Sequence, residues 1–226
     1  MIAMLRRAVV VVLALACSAC APFPDRAYYP DPARADTIAL SRALWRAARA
    51  AGDDPRQYSF AMIHTQDVSA YTADDAVFYF SEGLARQPAR VIEALIAHEV
   101  AHELLGHAGR RRVLSLSLSA GFTVLGVAVP GAGLLDLLVN PLIVRAYTRD
   151  QETAADLKAV EVLRSMGDET PRRTLAEALT EAAKVNGTPR GGIFASEPDL
   201  ADRLSAIEPL EAAAEAALRP AGAVRR

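Results

Sequence analysis

Cysteine, lysine and aromatic residues are all scarce in this 226-residue chain. Its two cysteines, Cys17 and Cys20, both stand near the start, which excludes a disulfide framework or a cysteine-rich metal module from the body of the protein. Phe, Trp and Tyr together make up 6% of the residues, against 46 alanines, a balance that favours helix over sheet. An excess of one charge is missing as well. Lys and Arg number 25 and Asp and Glu 27, for a formal net charge of −2, so no basic field exists to hold a nucleic-acid backbone and no nucleic-acid partner is expected. The composition is 52% hydrophobic and 23% charged, enough to bury a core within the one domain that this length suits. With cysteine excluded, any metal site in the body must be built from carboxylates and the four histidines.

The opening residues read as a secretion signal. Arg6 and Arg7 precede an apolar run over 8–16, too short for the roughly 20 residues that cross a bilayer. Leu15-Ala16-Cys17-Ser18-Ala19-Cys20 resembles the cleavage site of a bacterial lipoprotein, with Cys20 as the acylated residue and Cys17 as the second candidate; an ordinary cleaved signal is the alternative. The expected organisation is a signal peptide over 1–19 and an extended tether over 20–35, carrying Pro22, Pro24, Pro30 and Pro32. The same resemblance implies a cell-envelope protein, lipid-anchored in the outer membrane and facing the periplasm, because no Asp follows the modified cysteine.

Beyond the tether a single domain is expected over 36–210, followed by an Ala-rich tail over 211–226. Asp36 is placed to cap a helix reaching about residue 51, with Ile38, Leu40, Leu44, Trp45 and Ala48 as its apolar stripe. Short β-like runs follow at 58–63, 68–71 and 76–80. Pro88 opens a helix that should stop near 109, and further helices are predicted at 148–165, 171–185 and 199–207. The fold class is therefore α+β, mostly α, with a small antiparallel sheet beside the helix that Pro88 opens.

One segment of that helix carries recognisable chemistry: Ala97-His98-Glu99-Val100-Ala101-His102-Glu103-Leu104-Leu105-Gly106-His107. At 3.6 residues per turn, His98 and His102 stand about 40° apart on one face, so both imidazoles can bind one ion. Glu99 lies about 100° round from His98, close enough to reach a water at that ion without ligating it. Two histidines on Zn²⁺ and a glutamate as general base is the arrangement of zinc hydrolysis. His107, nine residues past His98, falls about 180° away and is expected to be a helix-end residue whose charged form suits the helix dipole. His64, on a β-like run, is expected to be structural.

A third ligand must then be a carboxylate from elsewhere. Glu152 and Asp156 are i and i+4 on a second helix, separated by small residues that permit close approach. Glu152 is the candidate ligand, and Asp156 the acceptor for the ring N–H of a ligating histidine. The bland alternatives are a surface helix with two histidines by chance and a solvated charged face around Arg149, Asp150 and Lys158.

Together these segments resemble the membrane-linked zinc endopeptidases of metallopeptidase family forty-eight, the HtpX/Oma/Ste type, over about residues 58–207. The residues 68–72 and 77–84 are similar to that family's strand pair, 97–107 to its zinc helix, and 152–156 to its Glu-x-x-x-Asp helix. The resemblance implies a zincin-like fold, one Zn²⁺ per chain, and an edge strand near Val77 to Ser81 that holds a polypeptide substrate by strand addition. It also implies misfolded or misassembled envelope proteins as substrates. Near the end of the domain the family has His-Pro followed by an Arg. Here Glu197-Pro198 stands in that place, while Arg203 keeps the Arg position and is the candidate oxyanion donor. Glu197 cannot donate when ionised; it is a candidate fourth ligand or cover of the site.

Residues 113–144 carry one charge, Asp136, and are broken at Pro130-Gly131 and Asn140-Pro141. They are expected to form an apolar hairpin, packed in the core, or exposed and dipping into the membrane beside the lipid anchor or covering the cleft as a lid; a full transmembrane span is the lesser alternative. The expected activity is that of a lipid-anchored zinc metalloendopeptidase. The alternative is a chaperone-like or assembly lipoprotein whose zinc is structural and closed by Glu197.

Overall fold

The computed structural model describes residues 27–73, 76–110, 117, 147–187 and 199–212. Cys17, Cys20, Glu197, the apolar segment over 113–144 and all but the first residues of the Ala-rich tail lie outside them. Among the described residues, no helix is long and apolar enough to cross a membrane.

The first strand, β1 (Ala27–Tyr28), lies within the stretch expected to be a free tether, yet it pairs antiparallel with β2 (Ser59–Ile63). Between them runs α1 (Ala35–Ala50), which buries Leu40, Ala43, Leu44, Ala47 and Ala48. Its apolar stripe is narrower than the pattern predicts: Ile38 and Trp45 are on the outer face, 43% and 46% exposed. Asp36 does not cap the helix. It sits in the first turn, where it accepts hydrogen bonds from Arg34 and from its neighbour's backbone N–H. Gly52, at φ 83°, lets the chain leave α1 in a conformation that a side chain disfavours.

Two more strands complete the sheet, β3 (Ala70–Thr72) and β4 (Val77–Ser81), in the order β1-β2-β4-β3. The sheet is mixed rather than antiparallel: β4 pairs antiparallel with β3 but parallel with β2. The cause is the route of the chain. It passes from β2 to the far edge, forms β3, then doubles back to insert β4 between the two, and a strand so inserted must run with β2. The expectation of an edge strand at Val77 to Ser81 is therefore corrected. Both sides of β4 are paired, and the edges belong to β1 and β3. Phe78 and Phe80 point into the core from the central strand, fully buried, with Tyr58 and Phe60 beside them.

Ser81 ends β4 and caps α2 (Glu82–Ala85), its hydroxyl accepting from the Leu84 N–H. Pro88 then opens α3 (Ala89–Leu104), buried continuously from Ala94 to His102 because it has neighbours all round: α1, the strand β3, and the later helices. Those are α4 (Arg149–Ser165), started by a capping box between Thr148 and Gln151, α5 (Pro171–Asn186) and α6 (Leu200–Ala206), capped by Asp199. Fully buried Ala155 and Ala159 on α4 allow its close packing on α3. Long-range polar clasps fix the outer helices. Asn186 bonds both the N–H and the C=O of Val68, just before β3, at 2.7 and 2.9 Å. The Glu211 carboxylate accepts from the N–H groups of Arg172 and Arg173 at the start of α5.

Candidate metal centre

The facing sides of α3 and α4 bring together the residues that the sequence pairs. His98, His102 and Glu152 converge, all buried, and among the described residues they form the one group with metal-ligand geometry. His102 Nε2 lies 3.0 Å from His98 Nε2. Glu152 places one carboxylate oxygen 3.3 Å from His98 Nε2 and the other 3.4 Å from His102 Nε2. Four tetrahedral bonds of about 2.0–2.1 Å hold ligand atoms about 3.3 Å apart. The two ring nitrogens, and the Glu152 oxygen nearest each of them, stand close to that spacing, so the three side chains fit a zinc ion.

Asp156, one turn along α4 and fully buried, meets His98 on the other side of its ring, with Oδ1 2.9 Å from Nδ1. Arg203 reaches in from α6 and grips the same carboxylate twice, Nε to Oδ2 at 2.9 Å and Nη2 to Oδ1 at 2.6 Å. Nη2 also lies 3.4 Å from Glu152 Oε2. Glu99, next to His98 on α3, is 6% exposed and receives the Thr72 hydroxyl at 2.8 Å on Oε2. Three carboxyl groups thus surround the imidazoles against one guanidinium; ionised, they leave two negative charges in excess, the complement of a divalent cation.

The electrostatics of the cluster's own side chains express that excess. Burial and the Arg203 charge oppose a proton on His98, but its bonds to Asp156 and Glu152 outweigh them and raise its pKa to about 9. Burial likewise pushes the Glu152 and Asp156 carboxyls up, and the opposing bonds to the histidines and Arg203 hold both below the ordinary range. The site demands positive charge, whether proton or metal.

Three neighbours escape the sequence pattern. Thr72, on the edge strand β3, contacts Glu99 through its side chain. Tyr147 stacks flat on the His102 ring at 3.7 Å and 17°, its hydroxyl donating to the Thr72 carbonyl at 3.3 Å. No helical period could have joined these residues, since they come from three separate elements. His107 is the third, and its expected place is corrected. It is not a charged helix end pointing away from the cluster but is 3% exposed, with Nδ1 2.9 Å from His102 Nδ1. The offset of 180° assumes one unbroken helix, whereas α3 ends at Leu104 and Gly106, at φ 63°, turns the chain back. Burial first, then the charges of His102 and Arg110, lower the His107 pKa to about 4, so its ring is neutral. His64 stands apart from the cluster, stacked on Tyr28 and bonded to Glu82. Glu197 lies outside the described residues.

No curated protein matches the sequence. Residues 35–211 match the sequence profile of Peptidase family M48, a span that contains β2, β3 and β4 of the sheet, α3, α4 and α6 with every described residue of the cluster, and the chain belongs to that family.

Proposed function

We propose that the protein is a zinc metalloendopeptidase, lipid-anchored through Cys20 and facing the periplasm from the outer membrane, that hydrolyses misfolded or misassembled envelope proteins. Membership of the family implies a metallopeptidase. The observation that carries the zinc reading is the buried convergence of His98 Nε2, His102 Nε2 and the Glu152 carboxylate within metal-ligand reach of one another. When bound, zinc supplies Lewis acidity that polarises a peptide carbonyl and acidifies water. The rest falls to the chain. Glu99 takes the proton of the attacking water at its carboxylate and passes it to the leaving amine. Asp156 holds the Nδ1–H of His98, turning Nε2 toward the ligand cluster. Arg203 steadies Asp156 with Nε and Nη2, and its Nη1 N–H groups, without a partner among the described residues, are the donors for an oxyanion.

The extended-substrate site moves with the corrected topology. β3 is the edge strand beside α3, and Thr72 on it touches Glu99, which supports Ala70–Thr72 as the strand on which a polypeptide pairs. Metal analysis and casein cleavage of wild type and Glu99→Gln, side by side, test the reading. One zinc in each and cleavage by wild type alone is the expected result. Normal turnover in Glu99→Gln would refute the mechanism.

A further inference from the structure

His107 is the one buried histidine that the proposed reaction does not use. Its burial has a cost that a packing role does not explain, because a phenyl or aliphatic side chain would fill the same space without desolvating two ring nitrogens. The geometry supplies a reason. A neutral imidazole carries one N–H. His102 directs Nε2 into the ligand cluster, toward His98 Nε2 and Glu152. Giving that nitrogen's lone pair to a metal leaves the proton on Nδ1, and Nδ1 faces His107 Nδ1 at 2.9 Å. The rings meet at 65°, with centroids 5.0 Å apart, so they join edge to edge through this contact and do not stack. On the other flank Tyr147 lies flat against His102.

We propose that His107 is a positioning residue for the metal ligand His102: its Nδ1 accepts the Nδ1–H of His102 and fixes that ring in the tautomer and orientation that present Nε2 to zinc. The two histidine ligands are then served differently. His98 donates to a carboxylate, Asp156, and His102 to a neutral ring. The carboxylate makes His98 the more basic ligand, while a neutral acceptor orients His102 without adding a further negative charge to a crowded acidic site. Gly106 makes the contact possible by turning the chain after α3.

The inference rests on the zinc reading, and the test separates the two. Zinc affinity of the full chain is measured by chelator competition, and the cobalt-substituted absorption spectrum recorded, for wild type, His107→Phe and His107→Asn. The Phe variant fills the space without an acceptor. The Asn variant keeps an oxygen near the position of Nδ1. The expected result is a loss of roughly 10–100-fold in affinity with an altered cobalt spectrum for Phe, and near-wild-type behaviour for Asn. If the Phe variant does not fold, His107→Ala against His107→Asn makes the same comparison. A folded Phe variant with unchanged affinity and spectrum overturns the proposal. So does an Asn variant that loses as much as Phe, since an acceptor oxygen would then do nothing for His102. A wild type that binds no zinc overturns the proposal together with the zinc reading.

Discussion

His98 in the metal-free protein holds a proton up to a pH of about 9, because two carboxylates outweigh its burial. Zinc held by this ring would displace that proton. Below pH 9 binding should therefore release close to one proton per chain from this ring, and affinity should fall about tenfold for each further unit of acidification. Calorimetric titration in buffers of different ionisation enthalpy measures the release directly; a proton count near zero at pH 7 would contradict the charge balance described for the cluster. Thr72 offers a second test at this scale. Thr72→Val keeps the volume and deletes the hydroxyl that meets Glu99, so turnover should fall roughly tenfold while zinc content stays at wild type. The candidate ligands were readable from the sequence because their spacing is local: His98 and His102 four residues apart on α3, and Glu152 with Asp156 four apart on α4. His107, Tyr147 and Thr72 were not, since each depends on a chain reversal or a tertiary contact that carries no period.

Element boundaries were largely legible for the same reason. Pro171 at the start of α5 and Gly167 after α4 mark their helices within a residue or two. Strand order was not. The alternation of β2, β3 and β4 says which faces are apolar, but nothing in it says that β4 inserts between the other two. What enforces the insertion lies partly at Gly83, in the first turn of α2. A Cβ there would stand 2.2 Å from the Gln66 carbonyl oxygen and 2.3 Å from that of Asp67, both main-chain atoms that cannot move aside cheaply. The loop leading into β3 thus lies directly on α2, which follows β4. Gly83→Ala should cost at least about 1–3 kcal/mol, read as a lowered urea midpoint with unchanged slope. A midpoint within error of wild type would show that the loop is free to lift.

For the molecule as a whole, α3 is the axis: it packs on the sheet edge, on α1 and on both α4 and α5, so the cluster sits where the layers meet. The proposed anchor belongs to this scale too. Labelled palmitate should enter the wild-type protein and not Cys20→Ala, which should leave the membrane fraction; labelling retained in that variant would shift acylation to Cys17. Zinc at this centre would also act as a cross-link. It would join His98 and His102 to Glu152 across about fifty residues of intervening chain, and a loop so closed loses freedom only as the logarithm of its length. Doubling the segment between α3 and α4 would cost only about 0.6 kcal/mol in closure entropy. Flexible length added between the two helices would thus cost the site little, provided that His98, His102 and Glu152 stay in register.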